Sequence, residues 1–371
     1  MLAGVPVNGH SVRQVTSRLR GDGTMARLTV LAGLIAFSTT TLSSQLVASQ
    51  QIAGVRATGS VESADQLMKQ GHIAEAIQAL VELASSPQPP KGARRELGIA
   101  YYRSGQLKLA EKQFMDAMSE DPTDSESDQM LGLTLYRLNR RSEALPYLER
   151  AHQSTQLSNI DVNYIMGRCY IDASKFDEAR VAFATQFGIA PNSGAAHLLL
   201  AQMLLQVELA DAAAVEARKA LELSPGIALA HFALGKVYLA KGNTDEALKE
   251  FESEVKVNPS YPELYQFLGD LYIRTNQVPE AQQALTNALA LDQSSTGPFI
   301  LMGRLFLNDN DPQTAATYLE HAEQMDSSNV VTHYLLAQAY RRMGRKNDAE
   351  RELVVVSNMH SDTNSKGKSP D

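Results

Sequence analysis

The sequence predicts an all-α solenoid of tandem helical hairpins, and three observations predict it. Alanine recurs at 34-residue steps, a second small residue precedes each alanine by twelve positions, and the apolar residues around both fall at helical spacings.

The recurring alanines stand at 76, 110, 144, 179, 213, 247, 281, 315 and 349, with one step of 35 residues. The first helix of each repeat carries the other small residue: Gly98, Gly132, Gly167, Gly235, Gly269 and Gly303, or Ala64, Ala201 and Ala337. Three residues later comes a large one, such as Tyr101, Tyr170, Tyr238, Tyr272, Phe306 or Tyr340. That spacing puts both on one helix face. A Gly, Asn or Ser then marks a turn, and the alanine opens the second helix, followed four residues on by Phe114, Phe183, Phe251 or Leu. With no bulk at the crossing, two antiparallel helices approach closely while the aromatic and Leu side chains fill the flanks. Pro122, Pro191, Pro225 and Pro259 each fall twelve residues after an alanine, where proline stops the second helix. The one extra residue falls in the polar stretch Gln153 to Asn159 and lengthens a loop without shifting either helix.

These residues resemble the tetratricopeptide repeat family. The likeness is carried by Leu97-Gly98-Ile99-Ala100-Tyr101 with Gly105, Ala110, Phe114, Ala117 and Pro122, and by Leu234-Gly235 with Tyr238, Gly242, Ala247, Phe251 and Pro259. It covers residues 57 to 362 as nine repeats; the family's usual first-helix tryptophan is absent, and the fifth repeat departs from the pattern at Ala201, Leu204, Glu208 and Ala217. The resemblance implies a right-handed superhelix whose first helices line a concave channel, with the second, fifth, ninth, twelfth and thirteenth positions of each repeat facing it. Those positions hold Tyr102, Arg103, Tyr136, Arg137, Tyr164, Arg168, Phe232, Lys236, Arg274, Arg304 and Tyr334, with Arg342, Ile273 and Leu307 beside them. At the ninth and thirteenth positions of repeats two to nine, seven bases face only two acids, Asp172 and Asp270. Such a surface suits an extended, partly acidic peptide. The alternative at one helix face is a row of solvated arginines paired with neighbouring acids.

Charge and cysteine content exclude other classes. The formal net charge is −8, and residues 1–48 hold four Arg and one Asp, leaving −11 for the remainder, which argues against a nucleic-acid partner. A single cysteine, Cys169, allows neither a disulfide framework within the chain nor a cysteine-rich zinc site. Arg13, Arg18, Arg20 and Arg27 precede the apolar run Leu28 to Phe37, and Val47-Ala48-Ser49 offers small residues suited to cleavage. Residues 1–48 therefore read as a secretory signal, with 1–24 an extension ahead of a more usual start at Met25; the alternative is a disordered N-terminus. Ten apolar residues are about half of a bilayer span. The expected mature chain is periplasmic or secreted, with a linker at 49–56, the repeats at 57–362 and a disordered tail at 363–371.

No HExxH, GxxxxGK[ST], GxSxG or strand-linked glycine fingerprint occurs, so no catalysis and no cofactor is expected. His197, His231 and His333 occupy one recurring slot, filled by Tyr265 and Phe299 in other repeats, and read as packing residues rather than metal ligands. Cys169 reads as a buried structural thiol. The leading reading is an exported scaffold binding other proteins. The alternative is a self-assembling protein that stacks through its ends, for which Leu353, Val354, Val355 and Val356 of the last helix supply the apolar surface.

Overall fold

The computed structural model describes residues 60–153 and 162–366, with side chains to residue 361. The basic leader, the apolar run, the cleavage residues, the linker to residue 56 and nearly all of the polar loop at 154–161 lie outside the described residues. The described chain is all-α, in eighteen helices. They are α1 (Val61–Lys69), α2 (Ile73–Ala84), α3 (Ala93–Arg103), α4 (Leu107–Glu120), α5 (Ser125–Arg137), α6 (Arg141–Gln153), α7 (Val162–Asp172), α8 (Phe176–Gln186) and α9 (Gly194–Gln206). There follow α10 (Ala210–Leu223), α11 (Ala230–Ala240), α12 (Thr244–Val257), α13 (Pro262–Arg274), α14 (Val278–Leu291), α15 (Thr296–Asn308), α16 (Pro312–Met325), α17 (Val330–Arg342) and α18 (Lys346–Lys366). No described helix is long and apolar enough to cross a membrane. The last helix continues to Lys366, so 363–366 are helical and the expected tail shortens to the residues beyond.

Every repeat bends at the same place, fifteen residues from its start. The turn residues Gly71, Gly105, Asn139, Ser174, Glu208, Gly242, Asn276, Asn310 and Gly344 all have positive φ. A left-handed residue closes a helix by turning the chain out of its axis, and Gly and Asn reach that conformation at least cost. Ser174 at +56° and Glu208 at +61° reach it without that advantage. Three second helices stop where expected, α4, α10 and α12 ending two residues before Pro122, Pro225 and Pro259, whereas α8 ends at Gln186, five residues before Pro191. Pro262 and Pro312 sit in the first turns of α13 and α16, where their missing N–H is no loss.

The small residues do what the spacing predicts. Eight of the nine recurring alanines are fully buried and the ninth, Ala349, is 4% exposed. Phe114, Phe183 and Phe251 are fully buried as well, each contributing about 1.5–3 kcal/mol of burial. A side-chain carbon on Gly167 would lie 2.7 Å from the Phe183 ring, and one on Gly269 2.5 Å from Leu285, so glycine is what lets these helices close.

The chain divides into two compact units, the first ending at Gln113 and the second beginning at Phe114, within α4. In the first, α1 packs on α2 and α2 on α3 around Leu67, Leu80 and Leu97. In the second, each helix packs on the next from α5 onwards. First helices of successive repeats also touch, α5 with α7, α9 with α11, α13 with α15 and α15 with α17, whereas no comparable contact joins second helices among the described residues. First helices therefore form the inner row of this unit.

Candidate functional site

On the inner row of the second unit, α9, α11 and the start of α13 enclose a cavity of about 270 Å³. Its wall from α9 is Gln202, Leu205 and Gln206, and from α11 Phe232 and Lys236. Tyr261 and Glu263 close the α13 end, tied together by a hydrogen bond from the tyrosine hydroxyl to the carboxylate. Burial first, then that hydrogen bond, holds the Tyr261 hydroxyl protonated well above the usual tyrosine range. The lining is mixed: two amides, an ammonium and a carboxylate beside Leu205, Phe232 and Tyr261. Amide side chains both donate and accept, which fits them to the N–H and C=O groups of an extended chain.

The floor of the cavity is held by a buried carboxylate. Leu229, the residue before α11, has a φ of 72°, a left-handed conformation costing a leucine about 1–2 kcal/mol. It is held there by Glu254 of α12, fully buried, whose carboxylate accepts the Leu229 N–H at 2.6 Å and the Phe232 N–H at 3.2 Å. Two amides that the first turn of α11 would leave without partners are thus satisfied, and a negative group stands at a helix N-terminus.

The residues expected on the channel have several fates. Phe232 is 6% exposed and its ring packs on Tyr261 at 5.1 Å and Phe251 at 5.5 Å, so it belongs to the core and shows the cavity little surface. Ile273 and Leu307 are likewise buried rather than offered to a partner. The basic row is partly neutralised. Asp270 takes Arg274 at 2.8 Å and also pairs with Arg304 of the next repeat, while Arg342 donates to the Leu307 carbonyl. Lys236 stands 5.5 Å over the Phe232 ring, and neither it nor Arg168 has a carboxylate partner among the described residues. Arg137 is exposed, Tyr136 is half-buried with Arg141 5.4 Å above its ring, and Tyr164 meets Phe183 edge-on at 5.6 Å. Tyr334 is 52% exposed. Tyr102 and Arg103, at the end of α3, belong to the first unit, the tyrosine half-buried and the arginine exposed.

Sequence reading passed over Gln202, Gln206, Tyr261 and Glu263. A signal was present: every other repeat has a basic residue at its ninth or thirteenth position, and in the fifth both are glutamine.

On the other side of the hairpins, the histidine slot proves to be a two-residue device. His197, His231 and His333 each place Nδ1 at 2.7, 2.7 and 2.6 Å from a glutamate nineteen residues on, Glu216, Glu250 and Glu352. The histidines pack, as expected, and each also bonds its first helix to its second. In two of the repeats that lack the pair the slot is open. With Tyr265 and Ala284 at those two positions a cavity of about 470 Å³ remains, and with Asn163 and Ala182 one of about 300 Å³. Cys169 is fully buried, and burial followed by the nearby charge of Asp172 pushes its thiol up to about 12, so it stays a protonated packing residue.

Three family models match the chain: a tetratricopeptide repeat-like domain over residues 171–309, and tetratricopeptide repeats over 306–366 and 61–125. Among solved structures it is similar to the MamA protein at 16% identity and a TM-score of 0.43, over 49% of this chain and 99% of that one. It is also similar to YrrB, described as a tetratricopeptide protein with an unusual peptide-binding site, at 21% identity and a TM-score of 0.43, over 50% and 94%. A tetratricopeptide repeat protein from Parabacteroides merdae matches at 20% identity and a TM-score of 0.36, over 66% and 97%. No curated protein matches. With the 34-residue period, the buried alanines and these family models in agreement, the chain belongs to the tetratricopeptide repeat family.

Proposed function

We propose that the protein is a non-catalytic scaffold that grips an extended, partly acidic segment of a partner along the inner row of its second unit, and that it works in the cell envelope. The fold is that of a protein–protein interaction scaffold. The observation that carries the finer reading is the cavity between α9 and α11, where Gln202 and Gln206 are placed for a peptide backbone, Leu205 for an apolar side chain and Lys236 for a carboxylate. An extended segment has unpaired amides and carbonyls throughout, so it gains most from a wall of amide side chains. The envelope reading is supported by the four arginines and the apolar run that begin the sequence.

Panning the full chain against a displayed peptide library, followed by fluorescence anisotropy on the selected peptides, tests the site. Replacing Gln202→Ala together with Lys236→Glu is expected to weaken binding at least about tenfold with circular dichroism unchanged, the loss of one charge-assisted and one neutral hydrogen bond. Selected peptides that bind the double variant as tightly as the parent sink the assignment. Fusing residues 1–56 to a reporter active only after export tests the location, and a reporter retained inside the cell overturns it.

Self-association remains the second reading, favoured by Val354, which stands 57% exposed on α18. Light scattering that gives monomer mass over a wide concentration range removes it.

A further inference from the structure

We propose that Glu323, His333 and Glu352 form a binding site for a divalent transition-metal ion of the zinc class, joining the eighth repeat to the ninth.

The repeat supplies its own controls. All three His–Glu pairs share one register, but only one has a further carboxylate at hand among the described residues. Ten residues ahead of His333 stands Glu323, whereas the corresponding positions ahead of His197 and His231 hold Phe187 and Leu221. Glu323, on α16, brings its Oε1 to 3.8 Å from His333 Nδ1, while Glu352 Oε2, on α18, lies 2.6 Å from the same nitrogen. The three ligand atoms all lie within 4.8 Å of one another. Donors bound tetrahedrally at about 2.0–2.2 Å sit about 3.4 Å apart. The two nitrogen–oxygen distances straddle that value, so shifts of under about 1 Å would seat an ion.

The imidazole is already aimed. His333 is 3% exposed, and its Nε2 lies 3.0 Å from the Ser327 carbonyl. A carbonyl can only accept, so Nε2 carries a hydrogen, and in the neutral ring the lone pair is left on Nδ1, facing both carboxylates. Holding the far nitrogen by a backbone carbonyl is the device that orients metal-binding histidines in general. Without a metal, a proton must sit between Nδ1 and Glu352 to permit their 2.6 Å approach. The ion would take the place of that proton. One imidazole nitrogen with two carboxylate oxygens selects zinc, cobalt or nickel over magnesium and calcium, which prefer all-oxygen sites. The Glu323 side chain is 34% exposed, leaving an open side for entry and for a water to complete the coordination.

The test is calorimetry of the tag-free full chain with Zn²⁺ in millimolar Mg²⁺, paired with the visible absorption of Co²⁺ on the same protein. The expected result is one saturable site per chain, proton release on binding and a tetrahedral Co²⁺ spectrum. Glu323→Leu gives this site the residue found ahead of His231 and leaves the His333–Glu352 pair in place; it should lower affinity by at least about tenfold with helix content unchanged. His231→Ala should leave binding untouched. The proposal is overturned by the absence of saturable binding, by equal affinity in Glu323→Leu, or by loss of the site in His231→Ala. Peptide capture at Lys236 is measured independently, so either result stands without the other.

Discussion

At the scale of single residues, Glu254 shows how a repeat accommodates an exception. Glutamate is among the residues least often fully buried, and here its desolvation is offset by two backbone amides at the start of α11. Glu254→Ala would leave those amides buried without acceptors and remove what holds Leu229 in its left-handed conformation. We expect a loss of about 1–3 kcal/mol, read as a lower urea midpoint at unchanged slope, together with weaker peptide capture, because Leu229 and Phe232 border the cavity. Helical spacing cannot reveal this contact, since the glutamate reaches the next-door helix through a side chain 22 to 25 residues from its partners. Phe232 illustrates the complementary limit. Its position in the repeat assigns it to the channel, but Tyr261 and Phe267 close over its ring, so the aromatic surface expected there is mostly consumed by packing. The arginines are legible in the sequence as a row. Their pairing is not, because Asp270 meets one arginine a single helical turn along its own helix and another a whole repeat away.

At the scale of the element, the hairpins contain paired solutions to one packing problem. In the sixth repeat Gly235 faces Phe251, and in the ninth Ala337 stands at the same register as Leu353. A methyl group added at Gly235 would run into the Phe251 ring, which is fully buried and cannot swing away. Gly235→Ala is therefore expected to cost about 1–3 kcal/mol, and adding Phe251→Leu should recover part of that loss. A double-mutant cycle by chemical denaturation measures it, and a coupling near zero would show that the two positions do not answer one another. Helices, turns and the close crossing are legible in the sequence because the period fixes them jointly. The pairing of each slot histidine with a glutamate nineteen residues later is open to the same search, but glutamate at that position is confined to a few repeats, and a search for what recurs in every repeat passes over it.

At the scale of the molecule, stability in a repeat array is the sum of each hairpin and its interfaces, so terminal hairpins with one neighbour open first. Hydrogen exchange on the second unit should find the slowest amides in α11 to α14, around Phe251, Leu264 and Leu271, and the fastest in α18 beyond Val356, where most side chains are exposed. Uniform protection along the chain would contradict this. What the sequence says at this scale is the family and its hairpins. It does not say which slots lie open, because that depends on absent side-chain volume at Ala182 and Ala284. Those two slots lie three repeats apart in register. Since every repeat carries its left-handed turn at the same position, an unequal exchange between two gene segments at any matching register would add or remove whole hairpins with both ends intact. The separation of the open slots would then change only in steps of one hairpin, so the spacing is inherited as an integer and can be lengthened or shortened without redesigning a single interface.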